Sequence, residues 1–365
     1  MSGAVRRFAV LALALPVVLA AALPCALAAQ PSGKQIIGDV SRIVAPNGVQ
    51  ENFKLHINGI DQWVYTRGQD RKNPVLLFVH GGPASTSAPT MWMYQRPLEE
   101  YFTVVNYDQR GAGKTYLETD PDTVRPTLRI GQFVDDAVQI AEQVSKRYGK
   151  RKVILVGHSW GTVVGMRAAL KRPDLFHAYV GIGQVISMQD NEKVSFDFAL
   201  AQARKERNEK AIKELESIAP YPGDTPLTRE RIITERTWAQ HYGGLAAYRS
   251  DFAYYFDAPL LSPEYDDAAT KAIDQGSLLT LERLLDEWLQ VDFKPVRRFP
   301  IPVVMFMGRH DYTTPSEPTA AWLAKVKAPY KRAVWFENSS HLVQFEEPGK
   351  TLVSLLEYIR PLAKD

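Results

Sequence analysis

Three short stretches of this chain hold residue types that can break an acyl bond. The first is Gly157-His158-Ser159-Trp160-Gly161, a serine with a glycine two positions away on each side. The apolar run Val153 to Val156 precedes it, and a helix-like stretch, Thr162 to Lys171, follows. That order predicts a strand, a sharp turn and a helix, with Ser159 on the strained turn. The flanking glycines let neighbouring backbone come close. The helix start aims backbone amides at the serine, which favours negative charge developing there.

A serine hydroxyl is a weak nucleophile until an imidazole can take its proton and a carboxylate orients that imidazole. Gly308-Arg309-His310-Asp311 follows the apolar run Val303 to Phe306, and sites in open α/β sheets gather at such strand ends, so Asp311 is the expected acid. Of the seven histidines, His341 lies in the loop after the last apolar run, Ala333 to Phe336, and is the expected base. The third stretch, His80-Gly81-Gly82-Pro83, follows the run Val75 to Val79. Its Gly82 amide and the amide of Trp160 are the expected oxyanion donors, and losing one such donor costs about 3–4 kcal/mol of transition-state stabilisation. Ser159, Asp311 and His341 occur in the chain order of α/β-hydrolases.

Asp108-Gln109-Arg110-Gly111-Ala112-Gly113-Lys114-Thr115 ends like a phosphate-binding loop, but Asp108 stands where that loop needs its first glycine. Nucleotide binding is excluded on that ground. Asp108 and Arg110 are instead expected to pair and fix the loop beside the serine. His-Glu-x-x-His and cysteine pairs are absent from the sequence, so no metal and no cofactor is expected.

The elements that must position these residues read as an alternation of strands and helices. Phe53 to Ile57 and Gln62 to Thr66 alternate apolar and polar residues around Asn58-Gly59, a hairpin. Val75 to Val79, Phe102 to Asn106, Val153 to Val156 and Tyr179 to Ile182 are continuous apolar runs, as in strands buried on both faces. Phe133, Ala137, Ile140, Ala141 and Val144 recur at helical spacing, and a last helix is expected over about Gly349 to Leu362. The fold class is α/β, a mostly parallel sheet flanked by helices. The core comprises residues 29–188 and 299–365, with a helical cap, residues 189–298, inserted between them. The cap crowds Trp238, Tyr242, Tyr248, Phe252, Tyr254, Tyr255, Phe256 and Tyr265 into a short span, expected to line a pocket for a small apolar or aromatic compound. Its charged run, Arg204 to Lys210, reads as a solvated helix face.

Residues 1–28 read as a signal peptide: basic Arg6-Arg7, apolar Phe8 to Leu23, and the small-x-small site Ala26-Leu27-Ala28. The expectation is export to a bacterial periplasm or beyond, with no membrane attachment after cleavage. Cys25 is the one cysteine, so the mature chain would carry no disulfide. The 365 residues are 45% hydrophobic and 23% charged, with a formal charge of +3; this is a globular composition, not that of a nucleic-acid binder.

His80-Gly81-Gly82-Pro83, Asp108-Gln109-Arg110-Gly111, Gly157 to Gly161, Gly308 to Asp311 and Ser340-His341 together resemble the proline iminopeptidase (prolyl aminopeptidase) family of serine peptidases, family S33. The likeness covers roughly Phe53 to Ile186 and Pro300 to the end. It implies an α/β-hydrolase core with a helical cap and no cofactor, with Ser159 as nucleophile, Asp311 as acid and His341 as base. The implied activity is cleavage of small amide, peptide or ester bonds through an acyl-enzyme. An esterase or amidase for small apolar or aromatic compounds is the alternative, and a non-catalytic ligand-binding homologue the third reading. The chain departs from the family at Ala84 and His158, where glycine is usual. The family's aminopeptidases hold the substrate amine with cap glutamates, and Glu235 and Glu264 are unaligned candidates for that role.

Overall fold

The computed structural model describes residues 30–223 and 227–364. The expected signal peptide, residues 1–28, lies outside them. Among the described residues, no helix is long and apolar enough to cross a membrane.

Among the described residues, eight strands form one sheet: β1 (Val49–Ile57), β2 (Ile60–Gly68), β3 (Val75–Val79), β4 (Thr103–Tyr107), β5 (Val153–His158), β6 (Phe176–Ile182), β7 (Val303–Gly308) and β8 (Lys331–Phe336). Their order across the sheet is β1-β2-β4-β3-β5-β6-β7-β8. β1 and β2 form the expected hairpin, turning through Asn58 and Gly59, both at positive φ. β2 also runs antiparallel to β4, and β3 to β8 are mutually parallel. β3, β4 and β5 are buried at every position, because helices cover both faces of the sheet. The helix Ile130–Arg147 buries Phe133, Ala137, Ile140, Ala141 and Val144, the residues whose spacing predicts it.

Parallel register brings the strand ends to one edge. Val79 pairs with Gly157, His158 with Ile182, and Gly308 with Phe336. The loops after these strands therefore meet above that edge, as ligand sites in open α/β sheets do.

Between β6 and β7 the chain leaves the sheet. Met188–Lys205, Glu209–Ser217, Arg229–His241, Ala253–Phe256 and Asp267–Trp288 are helices. The neck of this excursion is closed by Met188 N–H donating to Val291 O at 2.9 Å and Phe293 N–H donating to Ile186 O at 2.7 Å.

Candidate active site

Ser159 sits between β5 and the helix Trp160–Lys171 with φ +54° and ψ −125°, a left-handed conformation that costs an L-residue energy. Its glycine neighbours explain how the turn closes. A Cβ on Gly161 would lie 2.0 Å from Val79 O and 2.6 Å from His80 O, and one on Gly157 would lie 2.6 Å from Gly161 O. Ser159 N–H donates to Ile182 O at 2.9 Å, so the elbow is pinned to β6 as well as β5.

The acid and base loops are stitched to each other. His341 Nδ1 lies 2.9 Å from Asp311 Oδ2 and 3.0 Å from Thr314 Oγ1. Thr314 donates its backbone N–H to Asp311 Oδ1 at 2.7 Å and its hydroxyl to Oδ2 at 3.0 Å. This pattern assigns the proton of His341 to Nδ1 and leaves Nε2 as the basic nitrogen. Asp311 and His341 are 2% and 3% exposed, so their pairing is shielded from water. His310 N–H donates to Ser339 O at 3.0 Å, and Ser340 Oγ–H donates to His310 O at 2.8 Å.

His158, a departure from the family pattern, has a clear local role. Its Nε2–H donates to the carbonyl of His341 at 3.2 Å, which ties the serine elbow to the base loop. Burial, with the charge of His341 adding to it, pushes the His158 pKa down to about 3, so the ring stays neutral.

Ser159, Trp160 and Gly82 line one small cavity together with Val185, Met188, Asn191, Arg236, Trp288, Thr313 and Thr314. About 60 Å³ of it is open to water-sized molecules, room for a small group. Gly82 has φ +120°, and a Cβ there would lie 2.4 Å from Ser85 N, so the loop admits no side chain. His80 fixes this loop: its Nδ1–H donates to Gly81 O at 3.0 Å and its Nε2 accepts from Gln109 N–H at 3.1 Å. Burial lowers its pKa to about 4 and keeps it neutral. Gln109 donates its side-chain amide to His80 O at 2.8 Å and accepts from Trp160 Nε1 at 3.3 Å, so it bridges the glycine loop and the elbow. The indole of Trp160 stacks on Trp288 at 5.9 Å and meets the edge of Phe133, so its ring points into the core.

The structure corrects three expectations. Asp108 and Arg110 do not pair. Arg110 grips Asp136 with Nε and Nη2, at 2.9 and 3.1 Å. Asp108 instead accepts from Thr86 Oγ1 at 2.6 Å, Lys114 N–H at 2.8 Å and the hydroxyls of Tyr65 and Tyr265. The two loop side chains point opposite ways, so each finds its own partner. The eight cap aromatics from Trp238 to Tyr265 are not among the residues that line the serine cavity. Tyr242 and Tyr248 border a larger outer groove of about 670 Å³, and Tyr255 and Phe256 border another beside Ser85. The aromatic lining of the serine cavity is Trp160 and Trp288. Finally, Glu264 lies away from the cavity lining, against Asn52 and Arg67, whereas Glu235 is bound to Arg236, which does line it.

Comparison with known proteins agrees with this architecture. The model of the "Alpha/beta hydrolase family" matches residues 76–355. The chain is 31% identical over 311 residues to the Bacillus subtilis (strain 168) protein named "Probable aminopeptidase YbaC", covering 84% of this chain and 95% of that one. It is 23% identical over 316 residues to a proline iminopeptidase of Saccharolobus solfataricus, covering 85% and 92%. Among solved structures, the proline iminopeptidase of Mycobacterium smegmatis superposes with a TM-score of 0.60 at 16% identity, covering 86% of this chain and 99% of that one. A 2-hydroxy-6-oxo-6-phenylhexa-2,4-dienoate hydrolase from Rhodococcus superposes at 0.56 with 19% identity, covering 86% and 100%. With this sheet, this elbow and these relatives, the chain belongs to the alpha/beta hydrolase family and is a hydrolase resembling the proline iminopeptidases within it.

Proposed function

We propose that this hydrolase cleaves small amide or ester bonds through a Ser159-His341-Asp311 triad and an acyl-enzyme. The observation that carries the reading is the Asp311-held imidazole of His341, set in loops tied to the strained Ser159 elbow. In this mechanism His341 Nε2 takes the hydroxyl proton as Ser159 Oγ attacks the substrate carbonyl. The amides of Trp160 and Gly82 receive the oxyanion. Collapse of the tetrahedral intermediate breaks the bond to the leaving amine or alcohol, which takes the proton from His341. Water, activated by the same imidazole, then releases the acid. No cofactor enters any step.

The names of the relatives, probable aminopeptidase and proline iminopeptidase, bring peptides with a free N-terminal residue as the first substrate class; small esters are the second. The test is labelling by a fluorophosphonate probe, with turnover of proline p-nitroanilide and of p-nitrophenyl acetate and butyrate. Ser159→Ala should abolish both labelling and turnover. Wild-type protein that resists the probe would sink the proposal. We also propose, from Arg6-Arg7 and the Ala26-Leu27-Ala28 site, that the enzyme is exported. Fractionation of expressing cells, with N-terminal sequencing of the mature chain, tests this; an intact N-terminus in the cytoplasm overturns it.

A further inference from the structure

Asn191, in the first turn of the helix Met188–Lys205, lines the cavity that holds Ser159. It is 5% exposed. Its Nδ2 donates to Thr313 O at 3.2 Å. A backbone carbonyl can only accept, so this bond fixes which end of the amide is which. Oδ1 is the other end, and among the described residues nothing donates to it. It is not sealed into the core, as the unpartnered Gln62 Oε1 is. The open space that Asn191 borders is the Ser159 cavity.

A carbonyl oxygen held out of bulk water without a donor costs desolvation free energy. A donor that arrives with the substrate recovers it. The acceptor is also held in place before anything binds. Ser187 caps its helix, accepting from Asp190 N–H at 3.3 Å, and Asn191 N–H donates to Ser187 O at 2.9 Å. The threonines beside it are already engaged: the Thr313 hydroxyl donates to Gly244 O at 2.9 Å, and the Thr314 hydroxyl bonds Asp311 and His341.

Two features locate the incoming donor. About 60 Å³ of the cavity admits water-sized molecules, so a group that reaches Oδ1 lies within a few atoms of the carbonyl that Ser159 attacks. Asn191 is tied to Thr313, and the next residue, Thr314, touches both Asp311 and His341, so Oδ1 stands on the side of the acid and base loops. The leaving atom must face His341 to receive its proton. In an amide that atom is a nitrogen carrying a hydrogen. As Ser159 Oγ bonds to the carbonyl carbon, the nitrogen loses conjugation and becomes pyramidal. Its lone pair turns to His341 Nε2, and its hydrogen turns away toward an acceptor. When the C–N bond breaks, the nitrogen takes the proton from His341, keeps its own hydrogen and leaves as a neutral amine. An ester oxygen has no such hydrogen.

We propose that Asn191 Oδ1 accepts the N–H of the scissile amide as the nitrogen becomes pyramidal, and that Asn191 thereby sets a preference for amides over esters. The contact is stronger in the transition state than with the planar amide, so it lowers the barrier rather than only holding substrate. This rests on the acyl-enzyme reading above and names the class of bond that site selects.

The test compares kcat/KM for the p-nitroanilides and the p-nitrophenyl esters of proline and alanine. Each pair shares its acyl group, so the ratio isolates the leaving atom. Asn191→Ala should lower the anilide-to-ester ratio at least about ten-fold, the factor of one hydrogen bond of about 1.4 kcal/mol. An unchanged ratio overturns the proposal. So does an equal loss on both substrates, the sign of a displaced acid loop or of a contact with the acyl group. Should the alanine variant not fold, Asn191→Ser carries the same expectation, since its hydroxyl can bond Thr313 O while the carbonyl is withdrawn. Wild-type enzyme gives an independent reading: an N-methyl anilide, which lacks the hydrogen, cleaved within about ten-fold of its parent also overturns the proposal. Absence of fluorophosphonate labelling defeats the acyl-enzyme reading itself, whereas labelling with cleavage of neither anilide defeats this proposal alone.

Discussion

Gly183 has φ +57°, and a Cβ built on it would lie 2.8 Å from His341 Cε1 and 2.9 Å from Nδ1. It also would lie 2.8 Å from Thr314 Oγ1, the hydroxyl that bridges Asp311 and His341. The imidazole therefore rests against a residue without a side chain. Gly183→Ala should displace the ring while leaving the sheet intact. A misplacement of about 1 Å costs on the order of 100-fold, so kcat for p-nitrophenyl butyrate should fall by about that factor with little change in KM. Wild-type kcat in a variant of normal melting behaviour would contradict this account. A second prediction isolates the acid. Asp311→Asn keeps the shape but removes the acceptor that sets the Nδ1–H tautomer, and a loss of about 10⁴ in kcat is expected. Loss below about ten-fold would show that another group orients His341. That Ser159, Asp311 and His341 sit in loops after buried strands is legible in the sequence, because each follows an apolar run within a few residues. Gly183 and Thr314 are not, because their importance lies in what they touch, and the role of His158 lies in a bond to the His341 carbonyl that only the fold brings together.

At the scale of elements, the segment after the helix Arg229–His241 connects the excursion to both halves of the site. Gly244 O accepts from Tyr312 N–H at 3.2 Å, Thr313 N–H at 3.0 Å and Thr313 Oγ–H at 2.9 Å. Leu245 O accepts from His341 N–H at 3.0 Å. Glu346 completes the clamp: Oε1 accepts from Ala247 N–H at 2.6 Å and Oε2 from Ser340 N–H at 2.9 Å. One carboxylate thus binds the backbone of this segment to the backbone of the base loop. Glu346→Gln leaves a single accepting oxygen for two donors. Hydrogen bonds to charged groups contribute about 1.5–3 kcal/mol, so denaturant titration should show stability falling by about that amount. The loosened base loop should lower kcat more than it raises KM. A variant with wild-type stability and kcat would show that the clamp is idle. Strands and the helix Ile130–Arg147 were readable from apolar spacing, which is local. This clamp was not, since it joins residues up to 99 positions apart in the chain through backbone groups that every residue type carries. The misplaced cap aromatics have a similar cause: composition shows that rings are abundant in a segment, and only the packing of its helices decides which rings face the serine.

For the molecule as a whole, the sheet domain and the helical excursion differ in how they are held together. The sheet rests on apolar strands whose burial stabilises by about 1.5–3 kcal/mol for each large aliphatic side chain, a contribution that pH does not change. The excursion carries a buried cluster in which Arg236 bonds both Glu192 and Glu235, each fully buried, and its stability must vary with pH. Glu235 has a folded-state pKa of about 7 against an ordinary value of 4.5, raised by burial and by the charge of Glu192, with Arg236 and Ser195 opposing. Below the ordinary value, folded and unfolded chains both hold the proton. Between there and about 7 the folded chain holds more of it than the unfolded chain does. Stability contributed by this group is therefore full at acid pH and is lost as pH rises through that window. Glu235→Gln keeps the shape and cannot titrate, so the difference in unfolding free energy between wild type and variant isolates the effect. From pH about 5 to about 8 the wild type should lose on the order of 2–3 kcal/mol relative to the variant, since each tenfold difference in proton affinity between folded and unfolded chains is about 1.4 kcal/mol. A difference that stays flat across this range, or grows with pH, would show that Glu235 is ionised throughout.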